Sequence, residues 1–92
     1  MNSLKGKRAY PNPDGFLYIG EGEYGYSPDN KVWFIRPPGR GDVTLIEGNR
    51  VVENPDGTIT VSGEILHVDQ HGKGERREWR GTLIDGEWTE IE

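Results

Sequence analysis

The chain has 92 residues, 32% of them hydrophobic, no cysteine and a net charge of −5. That length supports one domain with one core, and the missing cysteines exclude disulfide staples and thiolate zinc sites. Residues 1–46 carry six Lys/Arg against five Asp/Glu, and residues 47–92 five against eleven. No net basic face is on offer to a phosphate backbone, so nucleic acid is disfavoured as a partner.

Residues 1–11 read as a flexible basic leader. Residues 1–8 are polar and lack the apolar stretch of a signal peptide or membrane anchor. Together with the absence of cysteine, this sets the expectation of a cytoplasmic protein with no membrane partner. Residues 12–92 read as a single β domain.

That domain is punctuated by proline turns. Asn12-Pro13-Asp14-Gly15 recurs as Asn54-Pro55-Asp56-Gly57, and Ser27-Pro28-Asp29-Asn30 is a near copy. Proline presets φ for position i+1 of a type I turn, the Asn, Ser or Asp side chain bonds nearby backbone, and Gly or Asn takes the left-handed conformation. Between such turns, strands are expected at 16–19, 23–26, 32–36, 43–46, 51–53, 58–62, 65–68, 78–84 and 87–91. No window repeats apolar residues at helical spacing.

Several segments carry finer expectations. Val32-Trp33-Phe34-Ile35 is apolar on both faces, the pattern of a strand covered on both sides. Gly48-Asn49 suits a primed hairpin turn between 43–46 and 51–53. In Thr58-Ile59-Thr60-Val61-Ser62 the alternation points Ile59 and Val61 inward. Beyond Gly63 the apolar pair becomes Leu66 and Val68, so a bulge at Gly63 is expected, with His67 pointing away from the core.

Asp85-Gly86 predicts a type I′ hairpin that sets Leu83 opposite Trp88. Trp79, Leu83 and Trp88 then form one core patch, with Gly81 leaving room for an indole. Arg80, Thr82, Glu87 and Thr89 take the other face. The fold expected is all-β: a small antiparallel meander of about seven to nine short strands, closing as a barrel or a two-layer sandwich. Its core leans on Trp33, Trp79, Trp88, Phe16 and Phe34. So few apolar residues imply a domain of marginal stability, or a homo-oligomer that shares a core.

Candidate chemistry is sparse. In Arg36-Pro37-Pro38-Gly39-Arg40-Gly41-Asp42, two arginines beside glycine amides could cradle a small anion, nucleotide-like in character. The plainer alternative is a crossover loop whose arginines pair with surface carboxylates. His67, Asp69 and His71 alternate as three metal ligands on one strand face would. Gly72 and Gly74 end that strand, however, and a structural or solvent-exposed role is the plainer alternative. Tyr18, Tyr24 and Tyr26 sit beside glycines and offer a stacking surface, or else half-buried packing. No nucleophile elbow, cysteine or helix N-terminus marks a catalytic centre, and no cofactor motif occurs.

The C-terminal half resembles a loose set of small bacterial and phage-encoded domains of unknown function. The residues that carry it are Asp56-Gly57-Thr58-Ile59-Thr60-Val61-Ser62, Ile65-Leu66 and Trp79-Arg80-Gly81-Thr82-Leu83-Ile84-Asp85-Gly86-Glu87-Trp88. Arg80 stands where those relatives usually carry His, and the cysteines of many of them are missing. The resemblance implies a compact β fold and a phage or mobile-element setting within a bacterial host. It implies no activity.

The function expected is therefore a non-enzymatic binding module. As a phage accessory protein it would engage a host protein, as a counter-defence inhibitor does, with Tyr18, Tyr24, Tyr26, Arg36 and Arg40 as interaction residues. The alternatives are a binder that sequesters a small anionic ligand and a virion or assembly component.

Overall fold

In the computed structural model, which describes residues 3–71 and 75–91, the chain is all-β with a single 3₁₀ turn at Gly48–Arg50. The strands are β1 (Ser3–Lys5), β2 (Lys7–Arg8), β3 (Glu23–Ser27), β4 (Val32–Ile35), β5 (Thr44–Glu47), β6 (Val51–Glu53), β7 (Ile59–Val61), β8 (Ile65–His71), β9 (Glu75–Ile84) and β10 (Glu87–Glu90). They form two four-stranded sheets, ordered β1-β10-β9-β8 and β2-β3-β4-β5, and a separate β6-β7 hairpin. The ladders remain separate, so the molecule is a sandwich-like domain and the barrel alternative does not hold.

The two sheets are joined covalently at one edge. Within the segment expected as a leader, β1 pairs antiparallel with β10, and β2 pairs parallel with β3. Gly6, between them, is the pivot. A Cβ there would lie 2.7 Å from Trp88 Nε1 and 2.9 Å from the Gly22 carbonyl oxygen, so only glycine lets the chain cross so close to the core. The Trp88 indole N–H donates to that same Gly22 carbonyl at 2.9 Å, tying the sheets together beside the crossing.

One core cluster draws on all three sheets. Tyr24, Trp33, Ile35 and Ile46 come from one sheet, Ile65, Trp79, Leu83 and Trp88 from the other, and Ile59 and Val61 from the hairpin. The expected C-terminal patch is present. Trp88 faces Leu83 across the ladder, and Trp79 and Trp88 meet edge-on with ring centroids 5.5 Å apart. Such a pair contributes about 0.5–1.5 kcal/mol beyond the area it buries. The Asp85-Gly86 turn has φ of 50° and 75°, as type I′ requires.

The repeated turns share one hydrogen-bonding scheme. In each, the glycine N–H donates to the asparagine carbonyl, at 2.8 Å for Gly15 and 3.0 Å for Gly57. The aspartate then accepts the backbone N–H after the glycine, Phe16 on Asp14 and Thr58 on Asp56, both at 3.0 Å. The near copy differs. Lys31, rather than Asn30, takes the positive φ of 57°, and its N–H reaches back to Ser27 at 2.8 Å. The extra residue makes that loop one longer than the tetrapeptide suggests.

Four local expectations fail for tertiary reasons. Residues 16–19 form no strand, and Phe16 is exposed rather than part of the core. Gly48-Asn49 makes no hairpin, because the 3₁₀ turn sends β6 to pair with β7 instead of β5. Gly63 is a bend between two sheets, and inward parity runs unbroken through Ile59, Val61, Ile65, His67 and Asp69. Leu66 is consequently exposed and His67 is buried, the reverse of the sequence reading.

Candidate interaction surface

The segment between β2 and β3 holds most of the exposed aromatic surface. Ala9 N–H donates to the Tyr24 carbonyl at 2.8 Å, and the chain then runs through the first proline turn. Residues 16–19 lack a ladder partner yet keep strand-like alternation. Leu17 and Ile19 are half-buried, and Gly25 on β3 leaves the space they fill: a Cβ there would lie 3.1 Å from Leu17 Cδ1 and 3.2 Å from Ile19 Cδ1. Phe16 and Tyr18 therefore point to solvent, 63% and 67% exposed, with rings stacked at 5.9 Å and 24°.

The segment is fastened at several points. Arg36 Nη1 donates to the Ile19 carbonyl at 3.2 Å, and Glu23 Oε1 accepts the Gly20 N–H at 2.7 Å. Tyr10, 64% exposed, lies over the Arg8 guanidinium at 5.1 Å, and the Trp33 ring holds the same cation at 5.0 Å. Arg8 also donates to Glu53 at 2.9 Å and to the Gly57 carbonyl at 3.1 Å. The aromatics are thus displayed on an anchored support, which lowers the ordering entropy of a contact. Residues 9–30 themselves contain four carboxylates and no Lys or Arg, and the two cations that reach the segment, Arg8 and Arg36, are engaged by Glu53 and by backbone carbonyls.

The five expected interaction residues do not share a surface. Tyr24 lies in the core, where burial pushes its phenol pKa up, partly offset by the nearby Arg8 charge. Tyr26 is half-buried against Trp33, with centroids 5.4 Å apart. Among the described residues, every hydrogen bond made by Arg36 or Arg40 ends on a backbone carbonyl. Arg36 Nε bonds the Arg40 oxygen at 2.6 Å, and Arg40 Nη2 bonds that of Glu78 at 3.2 Å. These arginines clamp their loop and cap the edge of β9, instead of pairing with carboxylates or lining an open anion cradle. Only Tyr18 of the five is displayed. Its stacked neighbour Phe16 has a legible signal in the alternation of residues 16–19, which forms no ladder.

His67 and Asp69 face inward from β8, 1% and 2% exposed. Asp69 Oδ1 bonds His67 Nε2 at 2.7 Å, while His67 Nδ1 meets the Thr44 hydroxyl of β5. Asp69 Oδ2 accepts the Gly41 N–H at 3.0 Å. A carboxylate at Nε2 fixes that nitrogen as the N–H and leaves Nδ1 to accept from Thr44. Both ring nitrogens are therefore used within the protein, and the metal arrangement is not formed by these two. The His71 side chain lies outside the described residues, which hold no group of three or more His, Asp or Glu placed for a metal. The order hydroxyl, imidazole, carboxylate is that of an acid–base relay. With the base sealed from solvent, it acts as a polar clamp between β5 and β8.

No protein-family model matches the chain, no curated protein aligns with it, and no solved structure shows significant similarity.

Proposed function

We propose that this chain is a non-enzymatic module that binds a protein partner through the aromatic loop of residues 10–18. The observation that carries this reading is the stacked pair Phe16 and Tyr18, held outward on an anchored loop that also exposes Tyr10. Rigid exposed aromatics supply contact area at little entropic cost and dominate binding energy in protein interfaces. The acidic surround favours a partner whose surface presents Lys or Arg around an apolar centre, through charge complementarity and cation–π contact. The clamped state of Arg36 and Arg40 ranks the small-anion reading below this one.

Affinity capture on the immobilised chain, at several salt concentrations, tests the reading when wild type is compared with Phe16→Ser/Tyr18→Ser. Two lost anchors of about 2 kcal/mol each weaken binding by roughly a thousandfold, while far-ultraviolet spectrum and melting temperature stay put. Capture from wild type should also fall as salt rises. A partner retained equally by both proteins would remove this loop from consideration. Nothing captured above background at low salt would count against the binding module itself.

A further inference from the structure

Toward the end of the β1-β10 ladder away from Gly6, the described residues leave a corner of the inner face of the β1-β10-β9-β8 sheet open. Leu4 pairs with Trp88, and Glu90 with Gly81. Cross-strand partners share a face, as do alternate residues along a strand. Leu4, Trp79, Trp88 and Glu90 therefore all point inward. Leu4 is nevertheless 58% exposed, and Glu90 is half-buried. Pro38 and Gly39, from the loop that Arg36 and Arg40 clamp, supply the facing wall. The six residues enclose a pocket of about 290 Å³, near the lower end of the range for small-molecule sites.

Its chemistry is lopsided. Leu4 and Pro38 form apolar walls, and the two edge-on indoles lie beneath them, largely occluded. Among the described residues that line it, Glu90 is the one ionisable group, and its carboxylate has no hydrogen bond and no ion pair with any of the described residues. A carboxylate in a concave, apolar mouth concentrates negative potential, and hydrocarbon walls reward a ligand with an apolar body. Arg40, on the facing loop, spends its guanidinium on the Gly39 and Glu78 carbonyls, which leaves the Glu90 carboxylate for a cationic ligand, and a neutral hydrocarbon leaves it unpaired.

We propose that this pocket binds a compact alkylammonium ion, its hydrocarbon against Leu4, Pro38 and the floor, its N–H groups on the Glu90 carboxylate. The site is separate from the aromatic loop and does not depend on it. Because Trp79 and Trp88 floor the pocket, tryptophan emission and their indole N–H resonances report occupancy directly.

The test titrates the folded chain with cyclohexylammonium chloride and with cyclohexanol, its neutral isostere, at ionic strength matched with sodium chloride. The amine is expected to give a saturable response, with the alcohol at least about tenfold weaker, the order of one charge-assisted pair. Glu90→Gln should erase that preference at unchanged melting temperature. Glu87→Gln, exposed on the opposite face of β10, should leave it intact. Equal response to amine and alcohol, no saturation by the amine, full binding in Glu90→Gln, or equal loss in Glu87→Gln would each overturn the assignment.

Discussion

At Gly81 a hydrogen atom in place of a methyl group decides how the largest side chain of β9 lies. A Cβ on Gly81 would fall 2.5 Å from Trp79 Cη2 and against the Thr89 carbonyl oxygen. The oxygen is backbone and has nowhere to retreat, and the indole is locked edge-on against Trp88. Gly81→Ala should therefore cost about 1–3 kcal/mol, the range for overpacked cores. In a domain of this size that lowers the melting temperature by on the order of 5–20 °C. Gly48→Ala, where nothing lies within 4 Å and φ is ordinary, is the matched control and should melt within about a degree or two of wild type. An unchanged melting temperature for Gly81→Ala would show that the indole has somewhere else to go. This packing was legible beforehand, since Trp79, Gly81 and Leu83 alternate on one face. Tyr24 was not. Its glycine neighbours look like open ground, and only the folded chain shows the core closing over the ring.

At the scale of elements, the turns carry the fold, and their reading succeeded where the chemistry is local. Asn54-Pro55-Asp56-Gly57 needs only its own atoms and Thr58 to close. Asp56 accepts both the hydroxyl and the N–H of Thr58, at 2.6 and 3.0 Å, and these bonds hold its carboxyl below the ordinary carboxylate range. A folded-state pKa below the unfolded one contributes stability above the unfolded value. That contribution disappears as pH falls through the folded value. Wild type should thus melt above Asp56→Asn at neutral pH, and the two curves should converge as pH drops below the ordinary carboxylate range. Parallel curves down to strong acid would mean the charge on Asp56 adds nothing to the turn. Elements that depend on distant partners escaped the sequence. Of the three residues of β1 and two of β2 only Leu4 is apolar and most are exposed, and only β10 and β3 make strands of them. Gly48-Asn49 looks like a hairpin locally, but β6 finds β7 instead.

For the whole molecule, the question is what keeps the two sheets together along their sides. One side is sewn by the chain itself at Gly6. On the other, β5 and β8 are both terminal strands, and no chain crosses directly between them. The Thr44–His67–Asp69–Gly41 network spans that gap. No sequence pattern announced it, because a histidine and an aspartate at inward positions look like a lapse in the apolar alternation rather than its continuation. The network's worth follows from burial. Removing the imidazole takes one hydrogen bond from the buried Asp69 carboxylate and opens a cavity between β5 and β8, which costs about 2–4 kcal/mol, a large share of the roughly 5–15 kcal/mol that holds a domain folded. Removing only the Thr44 hydroxyl forfeits one hydrogen bond, about 1 kcal/mol. Urea unfolding should therefore rank His67→Ala far below Thr44→Val. In the double variant the Thr44 change should cost almost nothing more, since its partner is already gone. Additive losses across that cycle would mean the hydroxyl and the imidazole act apart. The clamp on that side would then rest on the Gly41–Asp69 and Arg40–Glu78 bonds together with apolar packing.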